Sequence, residues 1–410
     1  MEQIIMVKLA MIGAGGYAFN LIKWIWGIPD KIKLVAVTSS PTRKSPGRAA
    51  CQEKGIPVYD DADQLLANVK GKVDVIYIPT PIQTHFAMAK KCIDAGYSIF
   101  LEKPPVSTIQ DMDALMEYVA EKGHALRVPI GFQSLYSRLV QELKKRIVEG
   151  RYGKVKRIKA MAGWPRLDTY YSRSAWAGKV KAPDGWILDG TINNPLAHAM
   201  ANELYFASDE PCKMADLVSV EAELYHGHDI ESEDTSSVRV ITDKGIEILF
   251  NASLCSDERM DPLITIECEK ATIDYFNYKK VTVKALDGTI EEEMADDTEP
   301  RANMLASMAD SFTNNSPYLV PLEMCRPFML VVNGAFESSD GISAIDKKYV
   351  KRVTQEDGDV KTIIDDIDNI LRTSHEQGKL FSEVGAKWAK KSSSFVLKGY
   401  RKFPTSATFA

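Results

Sequence analysis

The chain has 410 residues, of which 45% are hydrophobic and 26% are charged, and its formal net charge is −5. This length predicts two domains, or two domains and an extension, with the composition of a globular protein. The acidic balance argues against a nucleic-acid partner, which would require a basic domain or stripe. Since no segment approaches the roughly 20 apolar residues of a membrane helix, we expect no membrane span and a cytoplasmic protein.

The six cysteines are far apart in the sequence, with no Cys-x-x-Cys pair and no histidine at metal-binding spacing. We expect reduced thiols, mostly in cores, and no metal site. One tract, His226-Gly227-His228, looks like a metal-binding pattern, but the acidic loop Asp229–Asp234 follows it. We interpret this tract as the solvated end of a strand.

A glycine-rich turn follows the first strand. The apolar run Val7–Ile12 leads into Gly13-Ala14-Gly15-Gly16-Tyr17-Ala18, and a helical pattern continues to Trp26. In a dinucleotide-binding turn, Gly13 permits the tight bend, Gly15 lets backbone amides approach a pyrophosphate, and the small Ala18 allows close helix packing. The pattern predicts cofactor contacts at Gly13, Gly15, Gly16 and Tyr17.

The second strand, Ile32–Val37, ends in Thr38-Ser39-Ser40, without the acidic residue that usually binds the ribose hydroxyls of NAD. Hydroxyl groups at Ser39 and Ser40, followed by Arg43 and Lys44, suit a 2′-phosphate. The sequence therefore favours NADP weakly over NAD. In the alternative interpretation, Arg43 and Lys44 only begin the next helix.

Two further strands end in polar motifs. Val73–Ile78 precedes Pro79-Thr80-Pro81, and the run Ile99–Leu101 ends in Glu102-Lys103-Pro104. Since open α/β sheets bind ligands at the carboxyl ends of their strands, Lys103 is placed where a cofactor and substrate would meet. The alternative is a strand end with solvated charges.

The helix predicted over Thr84–Ala95 carries His85 in its first turn, as a cofactor contact, a cap or a core residue. Further helices are predicted over Asp111–Glu121 and Tyr136–Glu149, with a strand over Ala125–Gly131 between them. At least five βα units thus predict a doubly wound parallel sheet. The remaining candidate cofactor contacts are Thr80, Pro81, Glu102, Lys103 and Gln133.

Taken together, the glycine turn, Pro79-Thr80-Pro81, Glu102-Lys103-Pro104 and Gly150-Arg151-Tyr152-Gly153 resemble the Gfo/Idh/MocA oxidoreductases over about residues 6–340. The resemblance implies an NAD(P)-binding Rossmann domain (1–133) and a substrate-binding and oligomerisation α/β domain (134–345) with a large open, mostly antiparallel sheet. One face of that sheet would meet the active site and the other a partner subunit. Residues 346–410 form an extension without an assigned role.

The resemblance also implies specific catalytic residues. Lys103 would be the lysine beside the nicotinamide and the substrate hydroxyl, and its bond to Pro104 is a candidate cis peptide. The family carries an Asp and a His one helical turn apart, and here His198 matches the His while Asn194 replaces the Asp. Because Asn cannot take a proton, His198 is the expected base, with Asp189 as either a substitute carboxylate or a cap.

The second half contains a segment rich in aromatic and arginine side chains, which suits a polar ring-shaped ligand such as a sugar. Its members are Trp164, Arg166, Tyr171, Arg173 and Trp176. Equally, these side chains can belong to a loop that packs over the sheet. We include them with Lys103, Asn194 and His198 as substrate-binding candidates.

Strand-like runs between Leu217 and Phe276 are spaced as an antiparallel meander. If apolar residues alternate on both faces and the helices cover one face, the other requires a homodimer or homotetramer. Two helices, Arg301–Thr313 and Leu322–Ser338, follow, and one more is predicted near Ile363–Gln377.

These features predict an NAD(P)-dependent oxidoreductase that moves a hydride between nicotinamide and a hydroxyl-bearing carbon of a sugar, polyol or derivative. His198 would take the hydroxyl proton, and Lys103 would polarise the oxygen. Two alternatives remain open at this point. One is a glycosidase that oxidises its sugar only transiently with a bound cofactor, and the other is a non-catalytic sensor of nucleotide or sugar.

Overall fold

The structure is a computed structural model that describes residues 6–42, 45–123, 126–295, 299–314 and 316–405. It divides into two compact units whose segments interleave in the chain. The first comprises the residues up to Val106, Asp111–Ser137 and Glu299–Cys325, and the second comprises Ser107–Gln110, Arg138–Thr298 and the residues from Arg326 onward. The sequence, by contrast, placed continuous boundaries at 133 and 345.

The secondary structure of the described residues contains the following elements. The helices are α1 (Tyr17–Trp26), α2 (Pro46–Glu53), α3 (Ala62–Asn68), α4 (His85–Asp94), α5 (Ile109–Lys122), α6 (Arg138–Val148), α7 (Asp168–Ser172), α8 (Ala197–Phe206), α9 (Pro300–Thr313), α10 (Arg326–Ser338) and α11 (Ile367–Gln377). The strands are β1 (Val7–Met11), β2 (Ile32–Thr38), β3 (Val58–Tyr59), β4 (Val75–Ile78), β5 (Ser98–Leu101), β6 (Val155–Gly163), β7 (Lys181–Ala182), β8 (Gly185–Trp186), β9 (Leu217–His226), β10 (Thr235–Thr242), β11 (Glu247–Ser253), β12 (Met260–Cys268), β13 (Ala271–Phe276), β14 (Lys280–Ala285), β15 (Ile290–Met294), β16 (Ser343–Ala344), β17 (Val350–Thr354), β18 (Val360–Ile364) and β19 (Phe395–Val396). None of the described helices is long and apolar enough to cross a membrane.

The first unit contains a parallel sheet in the order β3-β2-β1-β4-β5. Its strands are short and almost continuously apolar because helices cover both faces of a doubly wound sheet. All four residues of β4 are buried, and the ring of Tyr77 stacks on Phe100 of β5 with 4.3 Å between centroids. The predicted doubly wound parallel sheet is confirmed.

The predicted strand Ala125–Gly131 is not a regular strand, and its first residue lies outside the described residues. The segment runs beside β5, where Leu101 donates to the Pro129 carbonyl at 3.1 Å and Gly131 donates to the Leu101 carbonyl at 2.8 Å. Only an isolated bridge joins Leu101 to Ile130. Proline at position 129 lacks the N–H that a longer ladder requires.

Helix α9 belongs to the first unit, although more than 160 residues separate it from Ser137. Its residues Met304, Leu305 and Met308 are fully buried, and Lys31 of the same unit forms an ion pair with Asp310 at 2.8 Å. Burial of this apolar helix face explains why a distant segment completes the unit.

The second unit contains a ten-stranded mixed sheet whose main path is β15-β14-β13-β12-β6-β11-β10-β9-β16, with β19 on β9. The predicted meander is therefore interrupted. Strand β6 lies between β11 and β12, parallel to the former and antiparallel to the latter. The sheet remains mostly antiparallel, as expected.

The two faces of this sheet differ in chemistry. Along β6, Ile158, Ala160 and Ala162 alternate with Arg157 and Lys159, and successive side chains point to opposite faces of a strand. The face that carries Ile158 is apolar and lies under α8. The opposite face holds ion pairs between strands, among them Lys159–Glu267 at 2.7 Å and Arg239–Glu221 at 2.9 Å.

The chain itself covers much of this polar face. The segment from Ile345 onward adds the hairpin β17–β18, which the sequence did not predict, and the predicted helix, observed as α11. An apolar cluster joins Tyr225 and Cys255 to Leu371, Phe381 and Trp388. The expectation of a second uncovered apolar face is therefore wrong, because that face is polar and already packed. Only the family resemblance now supports the predicted homodimer or homotetramer.

Candidate functional site

The glycine turn has the backbone that a dinucleotide-binding loop requires. Gly13 and Gly16 have φ values of 122° and 52°, a region that side chains with a Cβ rarely adopt. A Cβ built on Gly13 would lie 3.6 Å from the Cβ of Ala18, an ordinary contact, so the backbone conformation and not crowding favours glycine at this position. Gly15 is exposed, and α1 begins at Tyr17 without an acidic residue in its first turn. This helix terminus fits an anionic pyrophosphate.

Tyr17 and Gln133, predicted separately as cofactor contacts, lie together in the first unit. The Tyr17 hydroxyl donates to Oε1 of Gln133 at 3.3 Å, and the Tyr17 ring is 42% exposed. Two positions 116 residues apart in the chain thus flank the same edge of the sheet. Tyr17 offers an accessible aromatic surface beside the glycine turn.

Lys103 is half-buried and follows β5 by two residues, at the carboxyl edge of the parallel sheet. Its bond to Pro104 is cis, as the resemblance suggested. Beneath it, Glu102 is buried, accepts the Tyr77 hydroxyl at 2.6 Å and accepts the backbone N–H of Lys103 at 3.2 Å. Burial raises the pKa of Glu102, against the hydrogen bond from Tyr77.

Glu102 was predicted to contact the cofactor, and the structure contradicts that role. Its carboxyl group is held against the sheet, and a Cβ built on Gly131 would lie 2.8 Å from its Oε1. Glu102 therefore positions the segment that carries Lys103. The absence of a side chain at Gly131 makes room for it.

His85, also predicted as a cofactor contact, is 1% exposed and has a positioning role as well. Its Nδ1 lies 2.9 Å from the Pro104 carbonyl and its Nε2 lies 2.8 Å from the Thr80 carbonyl. Burial lowers the pKa of His85 to about 4, so the ring is neutral at physiological pH. The neutral imidazole has one N–H, so it donates to one of these carbonyls while its other nitrogen faces the second, and both nitrogens are enclosed by the two loops.

The loop linked by His85 contains two of the predicted contacts, Thr80 and Pro81, and both are half-buried. The Thr84 hydroxyl lies 2.7 Å from the Thr80 hydroxyl and 2.7 Å from the Pro81 carbonyl. These contacts close the loop into a short turn before α4. Its backbone remains at the same edge as the glycine turn.

At the end of β2, Ser39 is buried and Ser40 is half-buried, while Arg43 and Lys44 lie outside the described residues. The structure adds Arg48, which sequence reasoning missed. Its guanidinium group bonds to the Ser39 carbonyl and lies 3.3 Å from the Asp60 carboxylate. The sequence signal that could have identified Arg48 was its position as a basic residue in the first turn of the helix that follows β2.

In the second unit, Asn194 precedes α8 instead of lying on it, because α8 begins at Ala197. Its Nδ2 donates to Oδ1 of Asp189 at 2.7 Å, and Asp189 accepts the backbone N–H of Gly178 at 2.7 Å. Asp189 binds the amide nitrogen, so Asn194 can orient a hydroxyl group by hydrogen bonding but cannot take its proton. Asp189 is 3% exposed and supports Asn194 from behind.

His198 lies in the first turn of α8 and is half-buried. It borders a small cavity within the second unit, together with the predicted sugar contact Trp164. Other residues around this cavity include Asn202, Tyr275 and Asn277. The mixture of an imidazole, an indole and amide groups is typical of a polar-ligand site.

Glu233 supports the turn before α8, and no sequence motif announced it. It is 1% exposed, accepts the Thr191 hydroxyl at 2.8 Å and accepts the backbone N–H of Ile192 at 3.2 Å. Burial raises the pKa of Glu233 to about 8. A Cβ on Gly190 would lie 2.1 Å from its Oε1, which explains the glycine at that position.

The aromatic and arginine segment forms a stacked cluster. Arg173 lies 3.6 Å above the centroid of the Tyr170 ring and 4.9 Å above that of Trp176, and Arg166 lies 5.5 Å above Trp164. Arg173 also approaches Asp189 at 3.6 Å. These cation–π contacts hold the arginines within the loop, so packing explains part of the pattern, although Nε of Arg166 is buried without a hydrogen-bond partner among the described residues.

Tyr171 differs from its neighbours in this segment. Its ring packs against His228 with 4.7 Å between centroids, and its hydroxyl is buried without a hydrogen-bond partner among the described residues. The prediction of Tyr171 as a sugar contact is therefore not supported by its placement. The interpretation of His226–His228 as a solvated strand end is wrong, because His228 is 3% exposed and bonded to Asp234 at 2.9 Å.

The cysteines behave largely as expected from the sequence. All six are free thiols, and four of them are buried, namely Cys51, Cys92, Cys255 and Cys325. Burial raises the pKa of Cys51 to about 11 and that of Cys92 to about 12, so these two thiols are protonated at physiological pH.

A comparison with known protein families finds a match that lies largely within the first unit. Residues 7–130 match the Gfo/Idh/MocA model, described as an oxidoreductase family with an NAD-binding Rossmann fold. The scyllo-inositol 2-dehydrogenase (NAD(+)) of Bacillus subtilis is 32% identical over 154 residues, covering 36% of this chain and 42% of that protein. Inositol 2-dehydrogenase 1 of Saccharopolyspora erythraea is 26% identical over 147 residues, covering 36% and 43%. The chain thus spans less than half of the length of either relative.

Solved structures extend the likeness of fold to both units. The WlbA dehydrogenase of Bordetella pertussis, crystallised with NADH and UDP-GlcNAcA, matches with a TM-score of 0.66 at 20% identity, covering 82% of this chain and 97% of its own. At this identity the likeness shows the fold alone. Residues 7–130 thus match the Gfo/Idh/MocA oxidoreductase family, and the fold of the chain is similar to that of a solved dehydrogenase.

Proposed function

We propose that this protein is an NAD(P)-dependent oxidoreductase that acts on a CH–OH group of a sugar, a polyol or a derivative. The observation that carries the proposal lies within the first unit. The glycine turn after β1 and Lys103 after β5 lie at the same carboxyl edge of one parallel sheet, the position at which such sheets bind dinucleotides. A cation is thus placed on the ligand-binding edge and supported from below by Glu102.

When bound, a nicotinamide cofactor supplies the acceptor for a hydride. Residues of the chain remove the proton of the substrate hydroxyl and stabilise the charge on its oxygen. We assign to His198 the removal of the hydroxyl proton as the carbon gives up its hydride, and to Lys103 the stabilisation of the negative charge on that oxygen. Asn194, held by Asp189, orients the hydroxyl and does not exchange its proton.

For the cofactor, we propose a preference for NADP over NAD. The end of β2 presents Ser39 and Ser40 and no acidic residue, and Arg48 lies beside Ser39. We expect NADPH to bind at least about tenfold more tightly than NADH, or about 1.4 kcal/mol. Titration calorimetry on the wild type and Arg43→Ala measures this, and the variant should lose the preference without a change in maximal rate on NADH. Equal affinities in the wild type would contradict it.

Residues of the second unit support a carbohydrate or polyol as the substrate. Trp164 and His198 border one cavity, and the adjoining arginines are held by aromatic rings. Indole and guanidinium groups suit the hydroxylated face of a carbohydrate or polyol. We therefore propose a small carbohydrate or polyol substrate, and we propose a homo-oligomer on family resemblance alone.

The test combines cofactor identification with turnover. Nucleotide released from the purified protein is identified by mass spectrometry, and a panel of inositols, hexoses and nucleotide sugars is assayed for NAD(P)H formation with product analysis. The proposal expects a nicotinamide dinucleotide and net formation of reduced cofactor with at least one polyol or sugar. Release of a free sugar without net NAD(P)H would instead indicate the glycosidase. Tight cofactor binding with no turnover across the panel would indicate a sensor.

A further inference from the structure

Three buried side chains of different chemistry meet at the ends of three neighbouring strands in the second unit. His228 lies just after β9, Asp234 just before β10 and Cys255 just after β11. Nδ1 of His228 is 2.9 Å from Oδ2 of Asp234, and Sγ of Cys255 is 3.2 Å from the same nitrogen. The exposed fractions of these residues are 3%, 0% and 0%, respectively. We call this group the buried triad.

Nε2 of His228 lies 3.1 Å from the backbone carbonyl of Arg166, which can only accept a hydrogen bond. Nε2 therefore carries a proton. Nδ1 faces Asp234 and Cys255, where either a second proton or a metal ion can lie between the ring and these two groups. Metal-binding histidines commonly show this arrangement, in which the second nitrogen donates to a carbonyl or a carboxylate.

The Asp234 carboxylate is arranged as an anion. It accepts the backbone N–H groups of Gly227 at 3.0 Å and His228 at 2.9 Å, and the Thr235 hydroxyl at 3.0 Å. A carboxylate oxygen and a nitrogen lone pair at 2.9 Å repel each other unless a cation lies between them.

A proton on Nδ1 would pair His228 with Asp234, and the Cys255 thiol would then be a hydrogen-bond partner of the same group. The nitrogen, oxygen and sulfur atoms of the three residues all lie within 4.8 Å of one another. A metal ion among them would use the nitrogen, the oxygen and the sulfur at once. The buried, unpartnered hydroxyl of Tyr171, whose ring packs on His228, is a further polar group in this region.

We propose that the buried triad binds a zinc ion through Nδ1 of His228, a carboxylate oxygen of Asp234 and the thiolate of Cys255. Nitrogen, oxygen and sulfur ligands are those that Zn²⁺ prefers in proteins. Binding releases the thiol proton to solvent. The site is structural, because Ile364 of the C-terminal hairpin donates to the Cys255 carbonyl at 3.0 Å and Cys255 belongs to the cluster that holds this segment on the sheet. The proposal does not depend on the oxidoreductase function.

The experiment measures metal in the full-length protein, purified without nickel resin or chelator. Mass spectrometry of metals should find roughly one zinc per chain. Removal by a chelator should lower the melting temperature, and added Zn²⁺ should restore it, a change of at least about 3 °C. Replacement by Co²⁺ should produce a thiolate-to-cobalt charge-transfer band in the near ultraviolet.

Variants locate the metal. Cys255→Ser and His228→Gln should lose the zinc and the cobalt band, whereas Cys51→Ser, which changes a buried thiol in the first unit, should keep both. Zinc retained at full stoichiometry in Cys255→Ser would overturn the assignment. So would a wild-type protein that neither contains zinc nor takes up Zn²⁺ or Co²⁺ at micromolar concentration. Should the variants fail to fold, the cobalt spectrum of the wild type alone decides, since only thiolate ligation gives that band.

Discussion

The two units support their proposed catalytic residues in similar ways but with opposite kinds of titratable group. In the first unit, neutral His85 links the Thr80 and Pro104 carbonyls around Lys103. In the second, Glu233 holds the turn that leads to Asn194 and His198. Burial lowers the pKa of His85 to about 4 and raises the pKa of Glu233 to about 8.

Because one support is a buried base and the other a buried acid, the two turns should respond to pH in opposite ways. Both supporting groups are neutral near pH 6, so both turns are held without a buried charge. Low pH should destabilise the turn in the first unit, because His85 must then take up a proton in a buried position. High pH should destabilise the turn in the second unit, because Glu233 must then lose a proton in a buried position.

The largest expected effect comes from Lys103→Met, which keeps the length of the side chain and removes its charge. Turnover should fall by a factor on the order of 10² to 10⁴, while NAD(P)H binding stays within a few-fold of the wild type. Steady-state kinetics and fluorescence titration of the cofactor measure the two quantities. Lys70→Met, at an exposed lysine of the same unit, is the matched control and should be fully active. Full activity in Lys103→Met would remove the lysine from the mechanism.

His198→Ala should lower turnover to a similar extent, on the order of 10² to 10⁴, if His198 is the base. The double variant Lys103→Met/His198→Ala should be little worse than the poorer single variant, because both groups are proposed to act on one oxygen. Effects that multiply would indicate that the two residues act independently. The same kinetic measurements on the four proteins complete the cycle.

Gly190→Ala probes the support by Glu233 directly. The new Cβ would overlap the Glu233 carboxyl group, so we expect a loss of about 1–3 kcal/mol in the free energy of unfolding. Denaturant unfolding measures it, and Gly27→Ala, where the nearest atom is the Trp24 carbonyl oxygen at 3.2 Å, is the control and should cost less than Gly190→Ala. Adding Glu233→Ala to Gly190→Ala should cost less than the sum of the two single changes, since it removes the collision. A fully additive result would mean that the turn does not rest on Glu233.

The last two predictions concern the pH responses of these supports. The folded pKa of Glu233 lies above its unfolded value near 4.3, so its stabilisation is present at low pH and is lost as pH rises towards about 8. The folded pKa of His85 lies below its unfolded value near 6.5, so its stabilisation is lost as pH falls towards about 4. Melting temperatures between about pH 4 and 9 should therefore decline less on the alkaline side in Glu233→Gln and less on the acidic side in His85→Gln. Profiles parallel to that of the wild type would show that neither group titrates as proposed.

The sequence predicted the first unit closely because its signals are local. A glycine turn between an apolar strand and a helix is typical of a dinucleotide-binding unit, and the run before Glu102 fixed the edge on which Lys103 lies. Tyr17 and Gln133 were likewise predicted at that edge, where the structure joins them by a hydrogen bond. The same local reasoning could not distinguish ligand contacts from their supports, so Glu102 and His85 were assigned to the cofactor.

The Rossmann architecture and the position of Lys103 could be predicted from the sequence alone, because both follow from periodicity and from motifs within a few residues. Only the tertiary structure decided which distant segments complete each unit, as α9 does for the first and the residues after Ile345 do for the second. It also decided that Glu233 and Asp189 lie behind Asn194 and that His228, Asp234 and Cys255 meet. These arrangements depend on strand register and on burial, which bring together residues whose separation in the chain carries no signal.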